Sequence, residues 1–272
     1  HSGCKELNMY DFNYHRPNSI DEATQLFVRA EDGIYLAGGH TLLPSMKQRL
    51  AAPTDVIDLA GIEGLSGIND LGSHLEIGAL TSHDEVANSS IVQSQISALA
   101  DLASFIGDAQ VRNRGTIGGS VSNSDPAADY PAGVLGLNAE IITNKRSIGA
   151  DAFFVAMFET ALEEGELILR IKFPKPDTSA YTKFPNPASR YATVGVFVAR
   201  TGAEVRVAIT GAAPSVFRSS EMENALAKDF SIQALEGIDL EADAMNTDLH
   251  ATAEYRAHLC TVMTKRAVRK LL

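Results

Sequence analysis

Two stretches of this chain carry residue types that could hold a phosphate group. In "LAGGHTLLPSMKQRL", Leu36 to Leu50, an apolar run ends in Gly38 and Gly39 and continues into His40 and Thr41. In "RNRGTIGGSVSNSDPAAD", Arg112 to Asp129, a second run reaches Gly118 and Gly119 and then Ser120. Glycine lets the backbone come close to a ligand and adopt positive φ, so successive N–H groups can converge on an anion. Each glycine pair is followed by a hydroxyl, and neither has a lysine beside it. That suits a pyrophosphate held by backbone dipoles better than a reacting triphosphate. On the residues alone, two tight turns remain the alternative.

Other chemistries find little support. There is no G-x-x-x-x-G-K-[ST] phosphate loop and no G-x-G-x-x-G dinucleotide fingerprint. The histidines His15, His40, His74, His83, His250 and His258 show no paired metal spacing, so no metal site is expected. Cys4 and Cys260 cannot ligate an iron–sulfur cluster, which takes about four thiolates, or build a disulfide framework. A net charge of −11 argues against a nucleic-acid surface. No apolar run approaches the ~18 residues of a membrane span.

The elements that must position these loops read as a mixture. A short strand near Tyr10–Tyr14 precedes a helix capped by Ser19 and Glu22, with Ile20, Ala23, Phe27 and Ala30 on one face and Gly33 at its end. "IYLAGG" and "TDVIDLAG" read as strands around a helical turn, and "LSGINDLGSHLEIGALTSH" as a hairpin. Ser82 with Glu85 repeats the capping box before a helical segment reaching about Ile106. The stretch from Gly107 to Asp129, rich in Gly, Asn, Ser and Asp, predicts a long functional loop. "AEIITNKRSIGADAFF" and "GELILRIKFP" read as strands. "PKPDTS", Pro174 to Ser179, marks a domain boundary. Beyond it come the strands "RYATVGVFVAR" and "EVRVAITGAAP", a helix near Ser220–Lys228 and a long amphipathic helix near Thr252–Leu271. Without a βαβ rhythm, the fold class is α+β. Residues 1–8 read as an expression scar and Met9 as the natural start.

"AGGHTLLPSMKQRL" together with "IGDAQVRNRGTIGGSVSNSDPAADYPA" resembles the FAD-binding medium subunits of molybdenum hydroxylases, most nearly those of the aerobic carbon monoxide dehydrogenase type, with the xanthine dehydrogenase flavin domain more distant. "KFPNPASRYATVGVFVA" and "EYRAHLCTVMTKRAVRKLL" extend the likeness from Met9 to the C-terminus. The resemblance implies a two-lobed FAD-binding domain of the vanillyl-alcohol-oxidase (PCMH) type over residues 9–176, with lobes of about 9–60 and 61–176. A smaller α+β domain over 177–272 follows it.

The resemblance also implies roles for residues. Leu36, Ala37, Gly38, Gly39, His40, Thr41, Leu42 and Leu43 match one segment that binds the pyrophosphate and ribityl region of a non-covalent FAD. Thr116, Ile117, Gly118, Gly119 and Ser120 match the other, Ser120 standing where relatives often have Asn. Ile106 would lie against the isoalloxazine, Asp129 would accept hydrogen bonds from the cofactor, Ile168 and Lys183 would touch the flavin edge, and Tyr191 would flank the ring. Each has a plainer alternative: Asp125 or Asp129 as a helix cap, Lys183 as a surface lysine, Tyr191 as a half-buried core tyrosine.

The function that the resemblance implies is electron transfer, with no general acid, nucleophile or molybdenum ligand, and so no catalytic residue, expected on this chain. A small iron–sulfur subunit with [2Fe-2S] clusters would feed the FAD, which passes electrons to a quinone or other acceptor. A large molybdenum subunit would carry the molybdenum cofactor, in a dimer of heterotrimers that is cytoplasmic or peripheral at the inner face of the membrane. The alternatives are a self-contained flavin oxidase of the same fold and a nucleotide-binding assembly protein.

Overall fold

The computed structural model describes residues 9–272; residues 1–8, including Cys4 and the expected scar, lie outside the described residues. Among the described residues three larger sheets follow one another along the chain, with a two-stranded hairpin inside the second, and helices join them.

The first lobe is a small parallel sheet in which β3 (Asp55–Asp58) lies between β1 (Asn13–His15) and β2 (Gly33–Leu36). Helix α1 (Ile20–Arg29) joins the first two strands, and α2 (Leu42–Lys47) lies between β2 and β3. The Ser19 hydroxyl accepts from Glu22 N, but the Glu22 carboxylate accepts from Asn18 N. The expected capping box is therefore displaced by one residue on its return bond.

The second lobe is built on β4 (Ile68–Asp70), β5 (His74–Gly78), β6 (Glu140–Thr143), β7 (Ser147–Gly149) and, after the hairpin β8 (Phe154–Ala156) and β9 (Glu159–Thr160), β10 (Ile168–Pro174). Its order is β4-β5-β10-β6-β7, with β10 antiparallel to both neighbours. The helical segment after Ser82 is three helices: α3 (His83–Asn88), α4 (Ser90–Gln95) and α5 (Ser97–Ser104). The Ser82–Glu85 capping box is fully formed. The break at Ser89 comes from a second cap, its extended backbone and hydroxyl starting α4 through Val92 N.

The stretch from Gly107 to Asp129 corrects the expectation of a long loop. It holds α6 (Ala109–Arg114), capped by Asp108, and α7 (Ile117–Asn123), capped by Thr116. Composition was misleading because its glycines are there for close packing, and Asp and Thr side chains supply the caps. After the Asp125–Asp129 turn comes α8 (Tyr130–Gly136), and α9 (Ala150–Phe153) follows β7.

The second domain is a four-stranded antiparallel sheet of β11 (Thr178–Pro185), β12 (Ala192–Thr201), β13 (Glu204–Thr210) and β14 (Phe217–Arg218). Helices α10 (Ser220–Lys228) and α11 (Ala253–Arg269) cover it. Val194, Val196 and Val198 join the core beneath α10 and α11. Phe197 and Ala199, with Tyr181, join the core of the preceding lobe. Strand β12 is thus buried on both faces, which explains its unbroken apolar run.

Candidate functional site

A cleft of about 890 Å³ runs between the two lobes and is closed at one end by the second domain. The volume falls within the range of small-molecule and cofactor sites. Its first wall is the turn after β2, where Leu36, Ala37, Gly38, Gly39, His40, Thr41 and Leu42 all line the space. Gly39 has φ of +76°, a conformation that an L side chain strains. A Cβ on Gly38 would lie 2.1 Å from the carbonyl oxygen of Arg114, so this glycine is where the first lobe's backbone meets the second's.

Across the cleft, Gly118 and Gly119 repeat this division of labour. A Cβ on Gly118 would sit 2.7 Å from Ala79 O. Gly119 faces Ala37 across the space, its missing Cβ 3.6 Å from that of Ala37. In each pair the first glycine seats one backbone on another; of the second glycines, Gly39 allows the left-handed turn and Gly119 leaves room opposite Ala37.

The two stretches differ in what their backbones offer. Among the described residues, the N–H groups of Gly38, Gly39, His40 and Thr41 have no hydrogen-bond acceptor within the chain. Those of Ile117, Gly118, Gly119 and Ser120 are taken by Thr81 O, Ala79 O, the Thr116 hydroxyl and Thr116 O. Only the first stretch is an open nest; the second supplies room, and its N–H groups hold α7 in place. This corrects the picture of two equivalent nests. Carboxylates and backbone outnumber cations here, since among the described residues Arg190 is the one Lys or Arg side chain on the wall.

The far end is different in kind. Ile106, Ile168 and Tyr191 line it, Tyr191 being 47% exposed. Asp129 also faces the space and is 4% exposed. It occupies the N-cap position of α8, yet its carboxylate makes no cap bond. Instead it accepts from the Tyr181 hydroxyl at 2.5 Å and from Lys183 Nζ at 2.9 Å. Lys183 also donates to Phe105 O at 3.1 Å, and its side chain is only 3% exposed. Burial pushes the Asp129 carboxyl up, against the opposing pull of Lys183 and Tyr181. The plain surface-lysine reading of Lys183 does not hold.

Most of the residues singled out from the sequence meet in this one cleft, Thr116, Gly118, Gly119 and Ser120 among them. Leu43, Ile117 and Lys183 stand behind the wall: Ile117 is fully buried in the core, and Lys183 reaches the site through Asp129. The structure adds others. His83, 5% exposed, packs its ring under Gly115, whose Cβ would lie 2.5 Å from Nε2. Burial, and then the charges of His40 and Arg112, lower it to about 4, so a neutral imidazole backs the wall. Glu166 binds Thr143, Arg146 and Glu163 N on the wall beside Leu167. Burial opposes its charge, but those donors, Arg146 foremost, pull it down to about 2. Arg112 donates to Ile106 O and Gly107 O, so it staples the turn before α6. No sequence signal marked Glu166, since its side-chain partners Thr143 and Arg146 lie about twenty residues away along the chain.

Residues 10–176 match the family described as the FAD binding domain in molybdopterin dehydrogenase, and residues 179–271 the CO dehydrogenase flavoprotein C-terminal domain. The chain is 36% identical to the carbon monoxide dehydrogenase medium chain of Hydrogenophaga pseudoflava, covering 94% of this chain and 96% of that one. It is 32% identical to the nicotine 6-hydroxylase medium subunit of Paenarthrobacter nicotinovorans, over 94% and 95%. A solved structure of the Hydrogenophaga pseudoflava carbon monoxide dehydrogenase, lacking the Mo-pyranopterin moiety, superposes with a TM-score of 0.87 over 96% of this chain and 97% of that one.

Proposed function

Because the chain belongs to the family of FAD-binding subunits of molybdopterin dehydrogenases, we propose that it is the flavoprotein subunit of a molybdenum hydroxylase that oxidises carbon monoxide. The observation that carries this is the cleft itself: an open N–H nest at one end, apolar walls along its length and a buried ion pair at the other. FAD fits that order, with its pyrophosphate at Gly38–Thr41 and its ring between Ile106, Ile168 and Tyr191.

The bound FAD supplies the redox chemistry, accepting electrons singly or in pairs. The chain's own residues bind, orient and shield. Gly38–Thr41 hold the anion by backbone dipoles without a local lysine. Ile168 and Leu167 exclude water from one face. Asp129 and Lys183 set the charge at the ring end. Among the described residues no group of three or more His, Cys, Asp or Glu could hold a metal, and Cys260 is buried in the second domain. The [2Fe-2S] clusters and the molybdenum cofactor belong on partner chains.

The partners we assign are a small iron–sulfur subunit and a large molybdenum subunit in a dimer of heterotrimers, with a quinone as acceptor at the inner face of the membrane. No described helix is long and apolar enough to cross a membrane. The docking surface assigned to the iron–sulfur subunit runs along Gly107–Arg114 and the adjoining second domain, where Phe105 is 48% exposed beside the ring end. Purification of the native complex, with subunit masses and cofactor contents measured, tests the whole reading. A complex that holds FAD and oxidises carbon monoxide supports it. A complex that reduces its FAD with a purine or nicotine instead moves the substrate to another member of the family. Hydrogen exchange on the free and assembled subunit tests the surface, and unchanged protection along Gly107–Arg114 removes it.

A further inference from the structure

Residues 126–129 belong by sequence to the first domain, yet they are hydrogen-bonded to the second. Three consecutive carbonyls accept from it. Gly211 N donates to Pro126 O at 2.8 Å, and Ala192 N donates to Ala127 O at 3.1 Å. The Thr210 hydroxyl lies 2.7 Å from Ala128 O and 3.0 Å from Pro126 O, donating to either. The next residue, Asp129, takes Tyr181 and Lys183 on its carboxylate.

The donors come from one face of one sheet. Lys183 pairs with Gly195 and Gly195 with Thr210, so these three form a single rung across β11, β12 and β13. Tyr181 lies two residues along on the same face. Gly195 leaves that rung open: a Cβ there would sit 2.4 Å from the Tyr181 hydroxyl and 2.9 Å from Thr210 Cγ2. Behind the rung Arg256 of α11, 4% exposed, donates to Thr193 O and Gly211 O and fixes the strand ends that carry two of the donors. Thr210 is 1% exposed and Tyr181 fully buried, so neither can touch a ligand in the cleft.

We propose that Thr210 and Tyr181 are positioning residues, through which the second domain sets the Asp125–Asp129 wall and the carboxylate that faces the bound FAD. This rests on the FAD reading given above. Beyond Arg190 and Tyr191, which line the cleft directly, the second domain then acts on the cofactor site through a rung of which no residue lines it.

The test uses the assembled complex with Thr210→Val, Thr210→Ser and Tyr181→Phe. Thr210→Val is isosteric and removes only the hydroxyl. After removal and re-addition of FAD, its dissociation constant should rise about tenfold, as expected for one lost hydrogen bond to buried carbonyls. Thr210→Ser should restore it. Tyr181→Phe should keep FAD but change how its midpoint potential varies with pH. The groups that face Asp129 are Tyr181 and Lys183 from β11, Tyr130 of α8, and Tyr191. With one donor gone, Asp129 takes its proton at a higher pH than in the wild type. Between those two points Lys183 is left uncompensated, so the variant's potential lies above the wild type there and meets it at alkaline pH. Unchanged FAD affinity in Thr210→Val, or equal loss in Thr210→Ser, overturns the role of Thr210. A potential offset by the same amount at every pH overturns that of Tyr181. A wild-type complex that binds no FAD sinks the functional reading instead.

Discussion

The two ends of the cleft are built by opposite means. At the Gly38–Thr41 end the wall is backbone, and unbonded N–H groups face the space from a single turn. At the Asp129 end the wall is side chain, and its buried carboxylate is held by residues more than fifty positions away. A backbone site offers few handles to substitution, because a change there acts through sterics. A site of buried charges can be adjusted by one proton or one methyl group, and any change in it spreads to its partners. The first end suits a fixed part of a ligand and the second a part whose charge changes.

The largest effects should come from the glycines, and they should split each pair. Gly38→Ala puts a Cβ 2.1 Å from a backbone oxygen, and Gly118→Ala puts one 2.7 Å from another. Neither neighbour can rotate away, so each variant should lose about 3 kcal/mol or more in denaturant unfolding. Gly39→Val and Gly119→Val should act on the ligand. A Cβ at Gly119 meets the Thr116 hydroxyl at 2.8 Å and Ala37 in ordinary contact at 3.6 Å, so Gly119→Val should fold, yet the assembled complex should contain almost no FAD. Gly39→Val adds strain at positive φ, about 1–2 kcal/mol, and a Cβ 2.9 Å from the Leu43 side chain to the same loss of FAD. Stoichiometric FAD in both valine variants would break the assignment of this end.

A middle-sized effect should come from Glu166, whose network is local and independent of the ring end. Its carboxyl is pulled down to about 2 from an ordinary 4.5, so its charged form stabilises the fold. The sign follows: the contribution is complete above about pH 4.5 and disappears as pH falls toward 2. The shift corresponds to about 3 kcal/mol, reduced because Arg146 is 44% exposed. Glu166→Gln should therefore cost about 2 kcal/mol at neutral pH and converge on the wild type in acid. Urea titrations at pH 7 and pH 3 measure it. An equal loss at both values would mean that the pair with Arg146 contributes nothing electrostatic.

The contrast between the ends also explains what could be read in advance. Gly38-Gly39 was visible because a turn that needs positive φ must be written locally, in adjacent residues. The caps at Ser82 and Glu85 were visible for the same reason. The helices α6 and α7 were not, because Gly118 is required by Ala79, a contact no local pattern encodes. On the residues alone Lys183 reads as a surface lysine; the resemblance puts it at the flavin edge, and only the fold shows Asp129 beside it, fifty-four residues earlier. Thr210 and Arg256 gave no signal at all, since the carbonyls they bind can belong to any residue type.

The smallest effect, and the sharpest on the comparison, concerns the potential of the bound FAD when either half of the ion pair is removed. A lone cation at the ring edge would stabilise the reduced, more negative cofactor, and its loss would lower the potential by on the order of 1 kcal/mol. Lys183 is not alone. Its side chain is 3% exposed and lies 2.9 Å from Asp129. In Lys183→Met the carboxylate is left buried without its cation, and burial already pushes its protonation upward. It should take up a proton, so the net charge at this end goes from zero to zero and the potential should stay close to that of the wild type. Asp129→Asn does the reverse: Lys183 keeps its charge, nothing balances it, and the potential should rise by on the order of 1 kcal/mol, about fivefold in that equilibrium. Spectroelectrochemical titration of both variants in the assembled complex reads the asymmetry directly. If Lys183→Met lowers the potential by as much as Asp129→Asn raises it, Asp129 stays ionised without its partner, and the ring end behaves as two separate charges instead of one coupled pair.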